Sequence, residues 1–140
     1  MELVCPHCHT VNRVPDERIA DGPDCGRCGK PVVASAPVAL DALNFDRFID
    51  RNGLPVLVDF WAAWCGPCRA MAPQFEAAAR ELAGQVTLAK LDTEKAPDES
   101  SRYRIRSIPT MILFRGGREV ARVSGAMSAQ DIVRWVRQAA

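Results

Sequence analysis

Charge of either sign is in short supply as a surplus: 18 basic residues against 17 acidic ones leave a formal net charge of +1. That balance removes the electrostatic case for nucleic acid or an anionic membrane as a partner, and it makes substrate recognition mainly non-ionic. Long apolar runs are also missing. No stretch approaches the ~20 residues needed to cross a bilayer, and Met1-Glu2-Leu3-Val4-Cys5 shows neither the basic nor the apolar region of a secretory signal. The expected setting is therefore a reducing cytoplasm, where cysteines act as metal ligands or redox groups rather than as structural disulfides. Residues 1–33 contain no aromatic side chain and too little apolar material for a core, so something other than burial is expected to hold them. Internal repeats and low-complexity tracts are absent.

Cysteine is present in a pattern. The six cysteines form three Cys-x-x-Cys pairs, and their surroundings separate them. Cys5-Pro6-His7-Cys8 and Cys25-Gly26-Arg27-Cys28 lie sixteen residues apart, the spacing of a four-cysteine zinc site. Zinc prefers tetrahedral thiolates, and each pair supplies two sulfurs with a suitable bite; a segment without a core would then fold largely on metal. Four thiolates around one zinc carry a net charge of −2. With that shell complete, His7 and His9 are expected at the surface. Two structural disulfides are the rival reading of the same four residues. A redox role for the Cys5 pair is rejected, because no apolar strand precedes it and no helix follows.

The third pair has both. Pro55-Val56-Leu57-Val58-Asp59-Phe60-Trp61 reads as a strand buried on both faces, and Arg69 to Leu82 reads as a helix. Two thiols separated by two residues can close into a small disulfide ring. A cysteine at the start of a helix sits among unpaired N–H groups that stabilise its thiolate, so Cys65 is expected to be the nucleophile and Cys68 the resolving thiol. Asp59, a carboxylate within an apolar strand, should hold its proton to unusually high pH and serve as a proton acceptor for Cys68.

The remaining elements suggest residues 1–33 as a zinc-binding segment, 34–37 as a connector and 38–140 as one packed domain. Val38 to Leu40 reads as an edge strand, and Asn44 to Arg51 as a helix with Phe45, Phe48 and Ile49 inward. Val86 to Leu91 reads as a strand and Pro97 to Tyr103 as a short helix. Thr110 to Phe114 and Glu119 to Val123 form a hairpin around Gly116-Gly117, and a last helix opens at Ser128-Ala129-Gln130-Asp131. Parallel βαβ units followed by an antiparallel hairpin and a closing helix imply an α/β fold, a mixed sheet covered by helices.

This order of elements, with Trp64-Cys65-Gly66-Pro67-Cys68 at the strand–helix junction, closely resembles the thioredoxin family over residues 38–140. The resemblance implies the thioredoxin fold, with Asp59 as the acid behind the dithiol, Lys90 as its lysine neighbour and Pro73 as a kink in the helix. It further implies that Pro109, in Ser107-Ile108-Pro109-Thr110, is a cis-proline facing the dithiol, and that Gly125 lets a substrate backbone approach. Trp64 and Ile108 would supply apolar contact, while compact Gly66 and Pro67 keep the surface open. Arg69 departs from the lysine that many members carry but leaves a cation in place. The four N-terminal cysteines and the Arg106-Ser107-Ile108-Pro109-Thr110 loop are similar to one branch, the second thioredoxin of many bacteria.

What the resemblance implies about activity is protein-disulfide reduction on disulfide-containing substrate proteins, recharged by a flavin- and NADPH-dependent thioredoxin reductase. The chain is expected to be a monomer that binds one structural Zn2+ and no organic cofactor. An oxidase or isomerase, or a partner-recruiting zinc module on a thioredoxin scaffold, are the alternatives. Among neighbouring residues, Trp61 is expected in the core, and Lys90 competes with a reading as a solvated strand end. Arg102, Arg104 and Arg106 are either a basic rim near Pro109 or an ordinary solvated face.

Overall fold

The computed structural model describes residues 1–140. Its five-stranded sheet has the order β3-β5-β4-β6-β7, built from β3 (Val38–Leu40), β4 (Val56–Trp61), β5 (Thr87–Asp92), β6 (Thr110–Arg115) and β7 (Arg118–Ser124). The first three run parallel, and β6 and β7 are antiparallel additions. β4 lies at the centre because its β-branched and aromatic residues fit between two covered faces.

Alternation along the strands sorts the core into two layers. Val56, Val58 and Phe60 of β4 join Ala89, Leu91, Ile112 and Phe114 under α1 (Phe45–Arg51) and α3 (Pro97–Arg102). That layer is centred on aromatic edge contacts, with Tyr103 and Phe114 ring centroids 5.1 Å apart. Leu57, Leu88, Met111 and Leu113 face the opposite way, under α2 (Gly66–Glu81) and α4 (Ala129–Ala139). α2 therefore starts three residues earlier than the apolar periodicity suggests, because Cys65 caps it. Pro73 lies inside α2, where it removes one backbone donor. The β6–β7 turn needs Gly116 and Gly117, whose φ values of 59° and 80° are unfavourable for residues with a Cβ.

The N-terminal segment departs from expectation. It contains a hairpin, β1 (Glu2–Val4) and β2 (Val11–Arg13), that the composition did not reveal. Nor is it without burial: Leu3, Val14 and Val32 surround Cys5 and Cys25 together with Leu54, while Val4 joins the main core. A few aliphatic residues suffice because the segment borrows the flank of α1 as its second wall. Polar ties reinforce this docking. The Val4 N–H donates to buried Asn52 Oδ1 at 3.0 Å and the Gly53 N–H to the Glu2 carbonyl at 2.6 Å. His9 is half-buried here rather than at the surface, with its Nε2 3.2 Å from Asn44 Nδ2.

Candidate functional site

β4 ends at Trp61, the chain turns through Ala62 to Trp64, and Cys65 becomes the N-cap of α2. Its sulfur accepts the Cys68 N–H at 3.2 Å. One helical turn brings Cys65 and Cys68 together, and the two are joined as a disulfide. Both are nearly buried, Cys65 with 4% of its surface exposed. Gly66 and Pro67, between them, are exposed. On the α2 side, the Arg69 guanidinium donates to the Ala63 carbonyl at 2.7 Å.

Trp64 stands over this junction, two-thirds exposed, its indole N–H donating to the Glu94 carboxylate. Opposite it, the Ile108 carbonyl oxygen lies 3.8 Å from Cys65 Sγ, and the Ile108–Pro109 peptide is cis. The Pro109 carbonyl accepts the Gly125 N–H at 2.8 Å, and Gly125 takes a φ of 102°. Thr110 Oγ1 meets Ser124 Oγ at 2.8 Å, pinning the same corner of β6 and β7.

Two residues before the end of β4, Asp59 points to the α2-facing side of the sheet, opposite Lys90 of β5 and Met111 of β6 in register. It is 1% exposed, and neither carboxylate oxygen has a hydrogen-bond partner. Burial pushes its pKa up to about 7, with the Lys90 charge pulling the other way. Lys90 is not a solvated strand end: it is half-buried, with Nζ 4.4 Å from the Trp61 ring centroid. Trp61, expected in the core, instead packs with Ile108 against the Ala62, Cys65 and Cys68 cluster, because it ends β4 where the sheet gives way to the dithiol turn.

Sequence reasoning missed Glu94 and Thr93. Thr93 donates from both N–H and hydroxyl to the Trp61 carbonyl, at 2.9 and 3.2 Å, so the loop after β5 braces the end of β4. Their signal was positional: both follow the carboxyl end of a parallel strand beside β4, the edge on which α/β sites assemble.

The other four cysteines form a second cluster. Cys5 and Cys28 sulfurs lie 3.6 Å apart, as do those of Cys8 and Cys25, and all four lie within 4.8 Å of one another. A tetrahedron with Zn–S bonds near 2.3 Å has edges of about 3.8 Å, so the cage is of the right size. All four are free thiols, which disposes of paired structural disulfides. Two matching turns build the cage: the N–H groups of His7 and Arg27 each donate to the first sulfur of their pair at 3.4 Å. His9 and Gly29, one residue past each pair, both take positive φ. Donors from Cys28, Asn12 and Arg27 bring Cys25 down to about 6, as a thiolate ligand requires. Burial pushes Cys5 up to about 11, so that thiol needs a cation before it ionises. Neither histidine joins the cluster.

Residues 36–138 match the family described as Thioredoxin, and residues 4–30 match the zinc ribbon described as Thioredoxin 2, N-terminal. The chain belongs to the thioredoxin family, has its fold and is a thioredoxin-type oxidoreductase. Within that family it carries the zinc-ribbon N-terminus of the Thioredoxin 2 kind. It is 44% identical to thioredoxin C-3 of Corynebacterium nephridii over 138 residues, 99% of this chain and 94% of that one. It is 51% identical to a thioredoxin of Alicyclobacillus acidocaldarius subsp. acidocaldarius over 97 residues, 69% of this chain and 91% of that one. The bifunctional thioredoxin reductase/thioredoxin of Mycobacterium leprae (strain TN) is 43% identical over 102 residues, 71% of this chain and 22% of that one. No helix is long and apolar enough to cross a membrane.

Proposed function

We propose that the chain is a cytoplasmic, monomeric protein-disulfide reductase acting through Cys65 and Cys68. The observation that carries this reading is the pair itself, held at the N-terminus of α2 between an exposed Trp64 and the Ile108 carbonyl. In the reduced state the α2 N-terminus and the Cys68 N–H stabilise a Cys65 thiolate. That thiolate attacks a substrate disulfide, forming a mixed disulfide and releasing one substrate thiolate. Cys68 then gives up its proton and attacks the Cys65 sulfur, which closes the internal disulfide and releases the second thiolate. Two electrons pass to the substrate. Asp59 is the acceptor for the Cys68 proton, directly or through water, because a carboxylate near pKa 7 exchanges protons at ambient pH. Lys90 tunes that carboxylate from the next strand.

Trp64, Gly66, Pro67, Ile108, Pro109 and Gly125 form the substrate-facing surface. A thioredoxin reductase, the activity named with thioredoxin in the Mycobacterium leprae relative, would return the two electrons. Cys5, Cys8, Cys25 and Cys28 would hold one structural Zn2+, which supplies cross-linking rather than redox chemistry.

Reduction of insulin by the full chain tests the reading. Cys65→Ser is expected to abolish turnover, and Cys68→Ser to stop after the first attack as a mixed disulfide visible by mass spectrometry. Full turnover by Cys65→Ser would overturn the assignment. A measured reduction potential as oxidising as those of disulfide-donating enzymes would move the chain to the oxidase class.

A further inference from the structure

The three arginines of Arg102-Tyr103-Arg104-Ile105-Arg106 do not form one rim. Arg102 is engaged: its guanidinium bonds Asp46 at 2.5 Å and lies 3.6 Å from Glu99. Arg104 takes a φ of 54°, and Ile105 packs against the core. Arg106 is exposed, forms no ion pair and lines a groove of about 200 Å3. Trp64 and Ile108, the two residues that flank the dithiol, line the same groove together with Thr93 and Ser107. Glu94 accepts the Trp64 indole N–H and is not among the residues that line the groove. A guanidinium without an ion-pair partner beside the apolar wall of Trp64, Ile105 and Ile108 is a carboxylate-recognising arrangement.

The geometry points to Arg106 as a specificity-determining residue that favours substrates with Asp or Glu two residues from the attacked half-cystine. This inference rests on the reductase reading. Arg106 lies two positions before Ile108, whose carbonyl is 3.8 Å from Cys65 Sγ. An extended substrate strand rises ~3.3 Å per residue, so the second residue from a half-cystine held at Cys65 lies about 6–7 Å further on, within the span of an arginine side chain.

The test uses two synthetic peptides with one disulfide each, identical except for Glu or Lys two residues from the half-cystine, and compares kcat/KM. The full-length protein is expected to prefer the Glu peptide by about three- to tenfold at low ionic strength, the size of one or two solvent-exposed charge contacts. The preference is expected to vanish in R106Q, to invert in R106E, and to shrink at high salt. R137E, which makes the same change in net charge on α4 across the sheet, should leave the ratio unchanged. An unaltered ratio in R106E would overturn the inference. So would equal changes for both peptides, which would mean that Arg106 acts on the dithiol and not on the substrate. Failure of the unmodified chain to reduce either peptide would instead reject the reductase reading itself.

Discussion

Asp59 keeps its proton because ionisation inside β4 has no compensating hydrogen bond. An unfolded chain releases that proton near the ordinary value of 3.8, whereas the folded protein holds it up to about 7. The unfolded state therefore gains relative to the folded one as pH rises between these values, and the penalty is constant above them. Asp59→Asn is expected to be more stable than the parent by a few kcal/mol at pH 8, three pKa shifts of one unit being worth about 4 kcal/mol, with no gain at pH 4. Denaturant unfolding at pH 4, 6 and 8 checks this; equal gains at both extremes would detach the effect from ionisation. Disulfide reduction should slow in the same variant on the proposed mechanism, in which Asp59 accepts the Cys68 proton. Lys90→Met removes the charge that opposes burial and is expected to move the Asp59 titration upward, readable as a shifted pH–rate midpoint. Of these residues, the acid was legible as a charge inside an apolar strand. Glu94 was not, because its meaning depends on an indole thirty positions away.

Helices and strands meet their ends in ways that are easily perturbed. Ser128 Oγ accepts the Asp131 N–H at 3.2 Å at the start of α4, an arrangement visible in the sequence as a serine followed three residues later by an acid. Ser128→Ala is expected to lower stability by about 1 kcal/mol, measured by chemical denaturation. β1 presents the opposite case. Three residues with no clear period were unreadable, since β1 exists only because β2 pairs with it and α1 backs it. Its anchor, Asn52, accepts from Val4 and donates to the Leu54 carbonyl and Thr87 Oγ1. Asn52→Ala leaves three buried groups without their partner and should cost about 1–3 kcal/mol, together with faster amide exchange at Val4. Wild-type exchange there would show that the apolar contacts alone hold the hairpin.

Across the whole molecule, the proposed function divides the work of the two cysteine clusters between holding and reacting. Metal removal separates them. With a strong chelator, residues 1–33 are expected to lose amide-exchange protection, because their aliphatic cluster is small and includes Cys5 and Cys25 of the proposed zinc site. The β3–β7 sheet should keep its protection, and reduction by Cys65 should continue. Retained protection in residues 1–33 would mean that burial against α1, not metal, holds them. Loss of reduction on chelation would show instead that the ribbon supports the dithiol.

Local chemistry was decided by the sequence alone. Two residues between cysteines set the bite of a metal ligand or the closure of a ring. The expectation that only Cys65 follows an apolar strand is corrected by β1, whose buried Leu3 and Val4 run straight into Cys5; the helix that starts at Cys65, with only a turn after Cys5, is what separates the two pairs. These are short-range relations, carried by chain geometry wherever the segment is placed. Tertiary structure alone decided who meets whom elsewhere: Met111 across from Asp59, Glu94 on Trp64, Val4 on Asn52, Arg102 paired and Arg106 free. The physical reason is that such partners are brought together by sheet register and helix packing over long separations, so no local pattern encodes them.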